Sequence, residues 1–213
     1  MLINCAAYQQ GVKLADLDPE EIGAYLDRPD TFVWVALRDA DAAELELYRQ
    51  QFNLHPLAVE DAMKGHQRPK VEEYGDDLFV VMHLIDWVGG ELTVGEVSVF
   101  VSRHHILSVR NGSKAHFLGV RERCEREPEL LSQGPSFVLY ALMDAVVDRY
   151  FPILDLLESE LEEIEQSIFT SGAARDNIQR LYALKRRLML LRRAVSPMLE
   201  MLSKLHGGRI PPV

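Results

Sequence analysis

Cysteine is scarce in this sequence: Cys5 and Cys124 stand far apart, and neither belongs to a Cys-x-x-Cys pair. That excludes a disulfide framework and a zinc knuckle, and it makes a reducing cytosol the expected compartment. Long apolar runs are also missing. The longest, around Phe137 to Val147, is interrupted by Asp144 and is too short to cross a bilayer, so the residues given are expected to be soluble. Met1 to Tyr8 lacks the basic stretch, apolar core and cleavage site of a signal peptide. No Gly-x-Ser-x-Gly, no phosphate-cradling glycine loop and no His-Glu-x-x-His occurs, and no catalytic residue is assigned; an enzyme is not expected. Positive charge is in deficit: 23 Lys and Arg face 33 Asp and Glu, for a net charge of −10. Such a surface repels nucleic-acid phosphates; it favours cations, or serves solubility alone.

At 213 residues the chain is long enough for a sizeable core. Its first part mixes short strands and helices. Thr31 to Leu37 is rich in β-branched and aromatic residues and predicts a buried strand. Pro19-Glu-Glu-Ile after Asp18 suits the first turn of a helix, Ala42 to Phe52 reads as an amphipathic helix, and His55-Pro56 opens a short one over Leu57 to Lys64. Pro69 then forces an extended backbone at Arg68. Leu78 to Trp87, Gly95 to Ser102 and His105 to Arg110 predict a meander, with turns at Gly89-Gly90 and Arg103-His104. Ala115 to Glu127 reads as helix, ended by Pro128.

From about Ser136 the periodicity changes. Val147, Tyr150, Leu154, Leu157, Leu161, Ile164 and Ile168 recur in steps of three and four; after a break at Ser171-Gly172, Leu181, Leu184, Leu188, Leu191, Val195, Met198, Leu202 and Leu205 resume the rhythm. Two long helices joined by a short turn are expected to pair antiparallel, with Glu158 and Glu162 near Lys185–Arg187. Pro152 and Pro197 should kink these helices unless a boundary falls there. The predicted fold class is therefore α/β (α+β): a helix-covered mixed β-sheet sandwich over residues 1–133, then a long antiparallel helical hairpin over 134–213. The chain stops after His206-Gly-Gly-Arg-Ile-Pro-Pro-Val213 without a closing element and reads as cut short.

Acid placement offers two candidate sites. Glu60 and Asp61 are adjacent on the short helix; side chains of neighbouring helical residues splay by about 100°, so the pair cannot easily chelate one ion and each acid can face a different neighbour. A solvated helix face is the plain alternative. Asp144 and Asp148 share one face of an apolar helix and need either a cation or an ion pair, for which Arg149 and Arg121 are candidates. Hard cations such as magnesium prefer carboxylate oxygens and keep some waters, so sparse acids from several elements or subunits would suffice. His104-His105 has no accompanying ligand spacing.

Three ordered segments carry a resemblance: His55-Pro-Leu-Ala-Val-Glu-Asp with His66-Gln-Arg-Pro-Lys-Val-Glu; Tyr140-Ala-Leu-Met-Asp-Ala-Val-Val-Asp-Arg-Tyr-Phe151; and Leu184-Lys-Arg-Arg-Leu followed by Leu191-Arg-Arg and Pro197-Met-Leu-Glu. Together they resemble the CorA family of magnesium and cobalt channels, from about Phe52 to the C-terminus. The resemblance implies a homopentamer whose cytoplasmic α/β/α domains form a funnel, in an inner-membrane protein that moves Mg2+, with Co2+ as a second cargo. It makes Asp61 the carboxylate of an inter-subunit Mg2+ sensor, with Glu60 and Asp144 at a second metal site. The partner acid, on a stalk helix, and the Gly-Met-Asn pore signature would both lie beyond Val213, so this portion would be a cytoplasmic part that does not itself conduct. A zinc transporter of the same superfamily and a soluble acidic coiled-coil interaction protein are the competing readings.

Overall fold

The computed structural model describes residues 1–113, 117, 119–168 and 174–206. Seven strands form one sheet: β1 (Leu2–Gln9), β2 (Val12–Asp16), β3 (Thr31–Arg38), β4 (Lys70–Tyr74), β5 (Asp77–Val88), β6 (Glu91–Val101) and β7 (His105–Asn111). Their order is β2-β1-β3-β7-β6-β5-β4. Only the central pair β3–β7 is parallel; the remaining neighbours run antiparallel, so the sheet is mixed as expected. The predicted meander is β5–β6–β7. Gly89 and Gly90 both have positive φ, the backbone that a two-residue hairpin turn between Val88 and Glu91 requires.

The strand alternation divides the core in two. Val33, Val35 and Leu37 point to the face covered by helices α2 (Ala42–Phe52) and α3 (Pro56–Lys64), where Leu45, Tyr48, Phe52, Val59 and Ala62 are buried. Phe32, Trp34 and Ile106 point the other way, into a larger cluster with α6 (Pro135–Asp148), α7 (Tyr150–Ser167) and α8 (Ala174–His206). Helices therefore cover both faces of the sheet. Asp18 forms a capping box with Glu21 at the Pro19–Glu21 3-10 turn, which leads into the four-residue α1 (Gly23–Leu26).

Three strands escape the sequence reading. Residues 2–9 hold small residues, Cys5, Ala6 and Ala7, at their centre, whereas β2 and β4 are edge strands of only five residues each. The helix expected over Ala115 to Glu127 is shorter. Its described part, α4, runs Val120–Glu125, because Gly119 at its cap has φ +86°, outside helical geometry; residues 114–116 and 118 lie outside the described residues. Pro128 does more than end that helix, since it stands at the first position of α5 (Pro128–Leu131).

The boundary allowed for Pro152 falls at Arg149, between α6 and α7, whereas Pro197 lies inside α8. At 33 residues, α8 is roughly 50 Å long at about 1.5 Å per residue, and it runs across β4, β5 and β6 as well as against α7. That second partner corrects the predicted seam. Tyr150, Leu157, Ile164, Leu184, Leu191 and Met198 are buried as expected, but Leu154, Leu161, Ile168, Leu181, Leu188 and Leu202 are exposed. Ile153, Ala194 and Met201 take their places inside, because packing against a broad sheet turns each helix away from a two-helix seam. The break at Ser171-Gly172 lies outside the described residues.

The charge register shifts with it. Glu158 and Glu162 stay exposed, and the pairs that form are Arg187 with Glu160 at 2.6 Å and Arg180 with Glu163 at 2.7 Å. Arg187 also donates to the carbonyl of Gly90 at 2.9 Å and lies over the Trp87 ring at 5.1 Å, joining both hairpin arms to the β5–β6 turn.

Candidate functional site

Helix α3 is positioned by local chemistry at both ends. At its start the His55 ring accepts the Leu57 N–H at 3.3 Å and stacks on Tyr74 at 4.1 Å, while Pro56 occupies the first helical position. At its end Gly65 and His66 both take positive φ, and a Cβ on Gly65 would come within 3.3 Å of Glu96 Oε1. Glu96, buried in β6, accepts the Gln67 N–H at 3.1 Å, His83 Nε2 donates to the Gln67 carbonyl at 2.8 Å, and Asn111 Nδ2 donates to the Ala62 carbonyl at 2.9 Å. Burial pushes the Glu96 carboxyl up from its ordinary range, although the Gln67 N–H and the nearby His83 and His66 oppose this. These sheet residues hold the helix that carries the acids.

With Ala58, Val59 and Ala62 turned inward, Glu60 and Asp61 point outward and meet different neighbours, as their splay requires. Glu60 is exposed and pairs with Lys64 one turn later. Asp61 is half-buried and accepts a hydrogen bond from Lys70 Nζ at 2.6 Å. The same ammonium donates to Glu72 at 2.8 Å, and the Tyr74 hydroxyl donates to Glu72 at 3.1 Å. Partial burial acts to lower the Lys70 pKa, but its bonds to Asp61 and Glu72 outweigh that and hold it above the ordinary lysine value. One cation is thus clamped between two carboxylates.

Asp144 lies across the sheet, on α6. It pairs with Arg123 of α4 at 2.5 Å, not with Arg149 or Arg121. Arg149 instead lies over Phe117, and Arg121 is taken by Asn4, Asp16 and Glu125. Asp148 is exposed. The structure therefore brings Glu60 and Asp61 together on one outer surface and leaves Asp144 on the other. Among the described residues no group of three or more His, Cys, Asp or Glu side chains could hold a metal ion. His105 belongs to the core: it stacks on Phe52 at 4.3 Å and its Nδ1 lies 2.7 Å from Ser102 Oγ, while burial pushes its pKa down to about 3.

Residues 29–211 match the family described as CorA-like Mg2+ transporter protein. The chain belongs to that family. It is 32% identical over 183 residues to YfjQ of Bacillus subtilis, covering 84% of this chain and 56% of that protein. It is also 32% identical over 165 residues to the cobalt/magnesium transport protein CorA of Thermotoga maritima, covering 76% and 46%. The chain thus spans about half the length of these family members. The soluble domain of CorA from Methanocaldococcus jannaschii shares its fold, with a TM-score of 0.75 at 18% identity over 99% of this chain and 83% of that one. The cytoplasmic domain of ZntB from Vibrio parahaemolyticus gives a TM-score of 0.65 at 14% identity over 98% and 83%. Among the described residues no helix is long and apolar enough to cross a membrane.

Three contributors to the site were not singled out in the sequence. Lys70 and Glu72 sit inside the family segment, on strand β4, and their i, i+2 spacing after Pro69 is the signal that would place them on one face. Arg123 carries no comparable signal, because α4 meets α6 only through the tertiary fold.

Proposed function

We propose that this chain is the Mg2+-sensing part of a divalent-cation transporter, working in an assembly of several copies, five in the family's manner. Its body (1–133) would carry the Asp61 sensor and its helical part (134–213) would lead toward a stalk and membrane segment beyond Val213, on the cytoplasmic side of an inner membrane. Mg2+ would be both regulator and cargo, with Co2+ as a further cargo. The reading is supported by relatives named as cobalt/magnesium and magnesium transporters.

The observation that carries the sensor is the placement of the acids. Glu60 and Asp61 lie on a helix on one face of the sheet, and Asp144 lies on a helix on the other. One chain cannot close Glu60 and Asp144 around a single ion, whereas two adjacent copies can present α3 of one to α6 of the next; the partner acid of Asp61 would come from the stalk helix of a neighbouring copy. Each acid is neutralised within its own chain only by a partly exposed ion pair, which contributes about 0–1 kcal/mol. Such pairs are easily exchanged for a hard divalent ion, which takes carboxylate oxygens and keeps waters. For Asp61 the exchange means displacing Lys70 from between Asp61 and Glu72.

With Mg2+ bound, facing carboxylates on neighbouring copies are neutralised and the assembly holds closed. When Mg2+ falls, like charges repel and the copies separate. Asp61→Lys in the complete protein should reduce Mg2+-dependent protection from proteolysis; unchanged protection removes Asp61 from the sensor. A zinc transporter of the same superfamily is the alternative, and a metal-uptake assay on the complete protein separates the two cargoes. Family membership favours either over a soluble acidic interaction protein.

A further inference from the structure

A second site lies on the α6 side of the sheet, across from Glu60 and Asp61, and neither Asp144 nor Arg123 lines it. Trp34, Ala36 and Arg38 of β3, Ser108 and Arg110 of β7, and Val97 of β6 form the floor of a cavity of about 300 Å³. Phe117, Val120 and Leu142 wall it on the helical side. β3 and β7 are the parallel pair, and the cavity lies toward their carboxyl ends, where Arg38 and Arg110 are directly opposite in register.

What marks this cavity is charge without a partner. Arg110 is only 7% exposed, yet its side chain makes no ion pair or hydrogen bond among the described residues, and its Nε is buried and unsatisfied. Trp34 is 3% exposed and its indole Nε1 is likewise unsatisfied. The nearest acids have other partners: Asp39 lies 3.9 Å from Arg38 and accepts the Gly112 N–H, Asp86 accepts the Ser113 hydroxyl, and Glu122, which lines the cavity, is exposed and lies 3.8 Å from Arg126. Residues 114–118, Lys-Ala-His-Phe-Leu, contain no carboxylate. Burial, reinforced by the positive charges of Arg38 and Arg149 and opposed by the carboxylates of Asp39 and Asp86, holds the Arg110 pKa below the ordinary arginine value. A largely buried guanidinium with its Nε unsatisfied, no ion pair and a like charge beside it is costly, and an anion relieves that cost.

From this geometry we infer that the cavity binds a small organic anion: a carboxylate or phosphate head on the Arg110 and Arg38 guanidinium groups, with a flat apolar body between Trp34, Phe117 and Leu142. Both heads present paired oxygens that a guanidinium fork matches. The apolar walls distinguish such a ligand from a bare inorganic ion, and Trp34 Nε1 supplies one further donor. Glu60, Asp61 and Asp144 do not line the cavity, although Asp144 and its partner Arg123 lie on two of the helices that wall it, α6 and α4.

Benzoate, phenyl phosphate and inorganic phosphate can be titrated separately into the 213-residue chain, read by thermal shift and, in a Trp87→Phe background, by Trp34 fluorescence. At least one of the two organic probes should quench Trp34 saturably and raise Tm, binding at least tenfold more tightly than inorganic phosphate; whichever does so identifies the head. Arg110→Met should weaken that binding at least tenfold, and Arg38→Gln, which leaves Arg110 in place should the first variant fail to fold, by several-fold. No saturable response to either organic probe, inorganic phosphate binding equally well, or undiminished binding by the folded variants would each overturn the assignment.

Discussion

The α3 surface and the cavity on the α6 side handle charge in opposite ways. On the α3 side, acids and bases meet at the surface: Glu60 with Lys64, and Asp61 and Glu72 with Lys70. In the cavity on the α6 side, Arg110 is largely buried beside Arg38, with no ion pair among the described residues. Exposed pairs are cheap to make and to break, which suits an exchangeable cation; a buried unpaired charge is expensive to leave alone, which suits a bound anion. A net charge of −10 conceals this contrast, because it sums over groups in different surroundings.

The contrast is most exposed to failure at the other deeply placed arginine. Arg187 is well sheltered and, although its Nε is also buried without a partner, its charge is paired: it meets Glu160, the Gly90 carbonyl and the Trp87 face. Arg187→Met should lower the unfolding free energy by about 2–3 kcal/mol in urea titrations, since it strands Glu160 in a partly buried position.

His105 shows a third treatment of a buried base, kept neutral. Its folded pKa, about 3, lies below the ordinary histidine value, so the folded state binds fewer protons; this stability is present above about pH 6.5 and is lost as pH falls toward 3. Between pH 6.5 and 5 the His105 contribution should fall by about 2 kcal/mol, at roughly 1.4 kcal/mol per pH unit. Glu96, pushed up by burial, acts in the opposite sense, since its stabilisation is lost as pH rises. Urea titrations of the chain and of His105→Leu at both pH values isolate the histidine, and equal pH slopes would refute the assignment.

Arg110→Met, in anion-free buffer, should cost nothing or raise stability by up to about 1 kcal/mol, because it removes an unpaired buried charge. A loss as large as that of Arg187→Met would erase the difference between the two arginines. Smallest of all, Asp61→Asn and Asp144→Asn should each change stability by less than about 1 kcal/mol without Mg2+, and a larger loss would make those acids structural.

Much of the frame was legible because local chemistry and tertiary packing agree. The α2 boundaries, the Gly89-Gly90 turn and the Pro56 start of α3 follow from caps, prolines and glycines that act over a few residues. Of the missed strands, β1 has few β-branched or large side chains, and β2 and β4 are only five residues long; β4 is recognisable as a strand once β5 is beside it. The hairpin was read in outline but rotated, because periodicity reports that a helix has an apolar face and not how wide its partner is. The choice of Glu160 over Glu158 and Glu162 follows from that rotation.

By itself the sequence determined that the chain is acidic, that its acids sit at Glu60, Asp61 and Asp144, and that helices surround a mixed sheet, since charge and periodicity are properties of the chain. Only the tertiary structure decided which cation each acid meets, and it alone placed Asp61 and Asp144 on opposite faces and closed a cavity around Arg110. Those outcomes depend on burial, and burial is set by which distant segments the fold brings together.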